Sequence, residues 1–249
     1  MTTTTSRPSP QAGVATMQTV RSMPSGRLRS VDLAGPSGKL EAVLNEGLPQ
    51  APVAALVCHP HPLGGGSMHN KVVYHAMKAM NAPEWGLGWP VLRFNFRGTG
   101  LSQGRHHGAA ETADLEAALR WLENEYNLPI IVAGFSFGAA IALDACCRSE
   151  SAQDAADIRA FAALGLPVRS GALGSKTYDY SFLADCTIPK LFLSGDRDRY
   201  TSTTELIQVA AAAAPPSQVA QVPGADHFFT GHLEHMQTTL SGWLKEIAL

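Results

Sequence analysis

The chain has 249 residues, long enough for one sizeable hydrophobic core, and is 45% apolar against 16% charged, a globular mix. A formal net charge of −2 removes the global electrostatic case for nucleic acid or an acidic membrane surface. No run approaches the ~20 apolar residues that a membrane-spanning helix needs.

Residues 1–26 are rich in Thr, Ser and Pro and lack the basic start and apolar run of a secretory signal. They read as a disordered tail ahead of a single domain over residues 27–249, with a cytoplasmic location expected. Residues 27–33 and 40–45 flank the turn signal Gly35-Pro36-Ser37-Gly38 and predict a β-hairpin. Residues 53–58 are an unbroken apolar run, the pattern of a strand buried on both faces. A helix over 70–80 and a strand over 91–96 follow. In 113–126, Leu115, Ala118, Leu119 and Leu122 fall on one helix face. Residues 129–134 predict another buried strand and 137–147 an Ala-rich helix. Three more strands follow over 160–166, 190–194 and 218–222. A helix over 203–213 separates the last two, and an amphipathic helix over 231–247 closes the chain.

This alternation predicts an α/β fold: a mostly parallel, doubly wound sheet with helices on both faces. Ligands then bind at the carboxyl ends of the strands, where every candidate motif falls. The four cysteines, Cys58, Cys146, Cys147 and Cys186, include no C-x-x-C pair and read as reduced core thiols in a reducing compartment.

The sharpest motif is Gly134-Phe135-Ser136-Phe137-Gly138, between a buried strand and a small-residue helix. A serine in that tight turn is lifted above the sheet, and the amide after it points toward a developing oxyanion. The glycines are needed because side chains there would meet neighbouring backbone. These residues make the chain similar to the α/β-hydrolase family over nearly everything after residue 26. The set HPHPLGGG, NFRGTG and GFSFG resembles small bacterial members related to dienelactone hydrolases and carboxylesterases. Dienelactone hydrolase uses a cysteine nucleophile; Ser136 stands here.

The resemblance implies the chain order nucleophile, acid, histidine. His227, His232 and His235 lie late enough, and His227, in a loop just past the last strand, is the expected base. His232 and His235 belong to the start of the final helix. Asp196 and Asp198 both follow the strand over 190–194, and the family pattern favours Asp198, leaving Asp196 to organise the loop. Asp226 is a third option. The family draws its second oxyanion donor from the loop after residue 58. Pro60 and Pro62 have no amide hydrogen, which leaves the N–H of His61 or of Leu63 beside that of Phe137. Arg97 and its glycine-rich turn read as structural, and His106 and His107 as solvent-exposed.

His59, His61 and His69 could form a metal site, but no further ligand is evident, and the Gly-Lys-Ser/Thr of a phosphate loop is absent. No metal and no cofactor are expected. Residues 167–189 are too few for a large helical cap. Leu63, Phe135, Phe137, Tyr178, Tyr180 and Phe228 are candidates for an apolar pocket, with core packing as the alternative for each aromatic residue. The implied activity is a carboxylic ester hydrolase acting on small to medium acyl esters, with no nucleic-acid or membrane partner and an open oligomeric state. A thioesterase, an amidase or peptidase, or a binding protein on the same fold are the alternatives.

Overall fold

Strands β1 (Leu28–Gly35) and β2 (Gly38–Asn45) pair antiparallel, with Gly35 opposite Gly38 across the two-residue turn. The computed structural model describes residues 1, 27–82, 84, 87–148, 154, 156–169 and 178–247. Apart from Met1, the expected tail lies outside them. Six strands follow: β3 (Ala54–Cys58), β4 (Val91–Phe94), β5 (Ile130–Phe135), β6 (Ile158–Leu164), β7 (Lys190–Gly195) and β8 (Ser217–Val222). They form one eight-stranded sheet in the order β1-β2-β4-β3-β5-β6-β7-β8, antiparallel at β1–β2 and β2–β4 and parallel elsewhere.

The helices are α1 (Lys71–Asn81), α2 (Glu111–Tyr126), α3 (Phe137–Arg148), α4 (Thr203–Ala212) and α5 (Leu233–Ile247). Successive side chains of a strand point to opposite faces, so each central strand serves two cores. Ile130 and Val132 pack with α2, α3 and α4, whereas Ile131, Ala133 and Phe135 pack with α1 and α5. That is why these strands read as unbroken apolar runs. No helix among the described residues is long and apolar enough to cross a membrane.

Two strands end earlier than the sequence predicts. β4 stops at Phe94 because the Asn95 carbonyl accepts from the Ser102 hydroxyl and Phe96 N–H donates to His59 Nε2 at 3.0 Å, taking both groups out of the ladder. β6 stops at Leu164 because Gly165 adopts φ 53°. Arg97 secures the turn after β4 through a buried pair with Asp114, Nε to Oδ2 at 2.9 Å. The cysteine expectation needs correction. Cys147, at the end of α3, and Cys186, ahead of β7, are joined in a disulfide across 39 residues of sequence, and cysteine usage no longer points to a reducing compartment. Cys58 and Cys146 are buried thiols outside the disulfide, and burial pushes the Cys146 thiol up to about 12.

Candidate active site

Three strand ends converge on one point. β5 runs into Ser136 at φ 55°, and α3 starts at the next residue. A Cβ on Gly134 would lie 2.5 Å from Gly138 O, and one on Gly138 would lie 2.4 Å from His59 O. Backbone cannot yield at those distances, so both glycines are obligatory for the turn. The close approach of Gly138 also seats the start of α3 against the loop that follows β3. The Phe137 N–H, the first of α3, has no intrahelical carbonyl to bond.

The loop after β8 carries His227. Asp226 Oδ1 accepts from Phe228 N at 3.0 Å and from Thr230 N at 2.9 Å, so the carboxylate holds its own loop. His227 Nε2 lies 3.0 Å from Ser136 Oγ, and Nδ1 lies 2.7 Å from Asp198 Oδ2. Asp198 Oδ1 accepts from Tyr200 N at 2.8 Å, fixing the carboxylate plane. Asp196 turns elsewhere, accepting from Gly224 N at 2.7 Å. The imidazole is clamped between Tyr200, ring centroids 4.4 Å apart, and Phe135, at 5.1 Å. A Cβ on Gly165 would come within 3.2 Å of His227 Cε1, so that glycine leaves the ring its space. His232 N donates to Phe229 O and His235 is exposed at the helix start, both away from Ser136.

A residue chain Ser–His–Asp at hydrogen-bond distance can remove the hydroxyl proton and stabilise the resulting imidazolium. Its setting matches a known family. A family model described as an alpha/beta hydrolase domain matches residues 40–248. The chain is an α/β hydrolase. An uncharacterized protein of Rickettsia prowazekii is 37% identical over 219 residues, 84% of this chain and 86% of that one. A solved α/β serine hydrolase without lid from Xanthomonas campestris is 29% identical, with TM-score 0.72 over 90% of this chain and 96% of that one. An α/β serine hydrolase homologue from Coxiella burnetii is 32% identical, with TM-score 0.72 over 87% and 97% of the two chains.

In this hydrolase the loop after β3 is braced by a buried histidine. His59 donates from Nδ1 to Pro60 O at 2.6 Å and accepts from Phe96 N on Nε2. Both ring nitrogens are thereby committed to backbone, and the ring cannot also ligate a metal with His61 and the exposed His69. Burial pushes its pKa down from 6.5 to about 4. Between those values the unfolded chain binds the proton and the folded one does not, so stability falls as pH drops from about 6.5 to 4. The full loss is roughly 3 kcal/mol. Urea unfolding at a series of pH values above 4.5 should show a midpoint that rises with pH, and His59→Asn should flatten the rise. An unchanged slope in the variant removes His59 as its source.

A cavity of about 610 Å³ opens over Ser136, lined by Pro60, His61, Leu63, Tyr178, Tyr200 and Phe228 among others. Of the two oxyanion candidates in the β3 loop, Leu63 N–H is engaged with His61 Nδ1 at 3.2 Å. Two of the expected pocket aromatics are not in the lining. Phe135 is fully buried behind His227, and Tyr180 is buried with its hydroxyl donating to Pro167 O at 2.8 Å. Leu63, Tyr178 and Phe228 do line the cavity. Sequence reading missed Tyr200, which lies two residues past Asp198, and Arg169, an exposed cation at the rim paired with Glu205. It also placed His106 in solvent. His107 is exposed, but the His106 side chain is only 13% exposed and forms part of the cavity wall.

Proposed function

We propose that this hydrolase is a serine carboxylic ester hydrolase for small to medium acyl esters. The observation that carries the reading is the Ser136 Oγ–His227 Nε2–His227 Nδ1–Asp198 line, at 3.0 and 2.7 Å. Ser136 Oγ attacks the ester carbonyl carbon while His227 takes the hydroxyl proton, forming a tetrahedral oxyanion. The N–H groups of Phe137 and His61 hold that oxygen, each such donor contributing roughly 10²–10³ in turnover. His227 then protonates the leaving alcohol as the C–O bond breaks, leaving Ser136 acylated. A water, deprotonated by His227, attacks the acyl carbon; the C–Oγ bond breaks, His227 returns the proton to Ser136 Oγ, and the acid is released. Asp198 keeps the imidazole oriented and balances its positive charge throughout. Residues 165–189 between β6 and β7 are too few for a large helical cap, which supports direct access for a short acyl chain.

The test is labelling with a fluorophosphonate together with hydrolysis of p-nitrophenyl esters from acetate to octanoate. Expected are stoichiometric labelling at Ser136 and a preference among the shorter chains. A folded protein that neither labels nor turns over any ester overturns the reading. Labelling with thioester or amide turnover alone would move the leaving group and keep the mechanism.

A further inference from the structure

The cavity lining contains four histidines and one arginine, and no aspartate or glutamate among the described residues. Behind one of those histidines sits a fully buried carboxylate. Glu111 begins α2, where the helix dipole favours negative charge. Its Oε1 accepts from His107 N at 2.7 Å and its Oε2 from Gly108 N at 2.8 Å. Burial alone would raise its pKa, but the amides and the neighbouring His106 outweigh burial and hold the carboxyl below its usual range. His106 Nδ1 is buried 2.8 Å from Glu111 Oε1. The two meet by proximity, without the alignment of a hydrogen bond, and the His106 side chain, 13% exposed, forms part of the cavity wall.

We infer that the cavity selects esters carrying an anionic group, and that His106, backed by Glu111, contacts that group. This rests on the esterase reading above and names its substrate class. The carboxylate is set back in the protein, so its charge lies behind His106 while the ring itself lines the cavity. Around His106 stand Glu111, His61, His59 and the adjacent His107, and Arg97 also interacts with the charge of Glu111. His106 also packs 4.8 Å from the His61 ring and 5.5 Å from the Phe137 ring, centroid to centroid, which puts it beside the proposed oxyanion donors. Arg169 also lies on the lining, but its guanidinium is committed to Glu205 by a pair at 2.8 Å.

The experiment compares two substrate pairs at a single mildly acidic pH. One pair places the charge on the acyl side: the mono-p-nitrophenyl ester of adipic acid against its monomethyl counterpart. The other places it on the alcohol side: butyryl 4-hydroxybenzoate against its methyl ester. Wild type should prefer the anion of at least one pair by about tenfold in kcat/KM, the size of one charge-assisted hydrogen bond. Added salt should shrink that preference. His106→Gln should remove most of it. The ratio cancels any loss of folded protein, and a ring that only packs the loop would lower both esters of a pair equally. No preference in either pair overturns the inference while ester turnover stands. Loss of the preference in Arg169→Gln but not in His106→Gln overturns the assignment to His106. Failure to hydrolyse any of the four, with no phosphonate labelling, overturns the esterase reading and this inference with it.

Discussion

Ser136→Ala should lower kcat/KM for a p-nitrophenyl ester by roughly 10⁵–10⁶-fold and abolish phosphonate labelling, while the fold persists. The loss is that large because serine, histidine and aspartate act as a unit. Once the hydroxyl is gone, the base has nothing to activate, and only the oxyanion donors and binding contribute. The variant should remain folded because alanine keeps the Cβ already tolerated at φ 55°. What it loses is the Oγ contact to His227; the backbone bond from residue 136 N to Leu164 O remains. Circular dichroism should be unchanged and Tm within a few degrees. Residual activity above about one per cent of wild type, in protein shown free of wild-type contamination, would exclude Ser136 as the nucleophile.

Asp198→Asn should cost roughly 10⁴-fold in kcat, and the hydrogen bonds say why. Asp198 Oδ1 accepts from Tyr200 N and Oδ2 faces His227 Nδ1. In the variant the amide oxygen keeps the Tyr200 bond, so the NH₂ falls on the Nδ1 side. That group can only donate, which places the imidazole proton on Nε2 and leaves no lone pair for the Ser136 proton. Asp196→Asn is the comparison. Its carboxylate meets Gly224 N instead, and the substitution retains an acceptor oxygen, so kcat should stay within about threefold. Equal losses at the two positions would remove the orienting role of Asp198.

Much of the fold was legible because the central strands serve two cores. That makes 53–58 and 129–134 continuous apolar runs, bounded by residues that break them. The elbow was legible for a local reason: Gly134 and Gly138 are excluded by backbone from carrying a side chain. The expectation of Asp198 over Asp196 rested on family resemblance alone. In sequence it and Asp196 differ by two positions, and what separates them is that Arg197 N donates to Ala225 O at 3.0 Å, locking the β7 and β8 loops together. The aromatic residues divided between cavity and core, because burial is set by what stands opposite. Phe135 points into the α1–α5 face and Phe228 out of it. The Cys147–Cys186 pair was illegible, since its partners meet only through the packing of α3 beside the segment ahead of β7. His106 was illegible for a related reason. Nothing in a histidine five residues before a glutamate announces that the helix start will be buried.

The antiparallel hairpin at the sheet's edge has a practical side. β1 runs in the same direction as β4, since each is antiparallel to β2, so Leu28 enters level with Val91, at the amino ends of the parallel strands. α5 begins beside the His227 loop and leads away from it for 15 residues, about 22 Å. Leu28 thus lies at the floor of the sheet and the cavity at its roof. A tether attached directly at Leu28 would leave from the side opposite the cavity mouth.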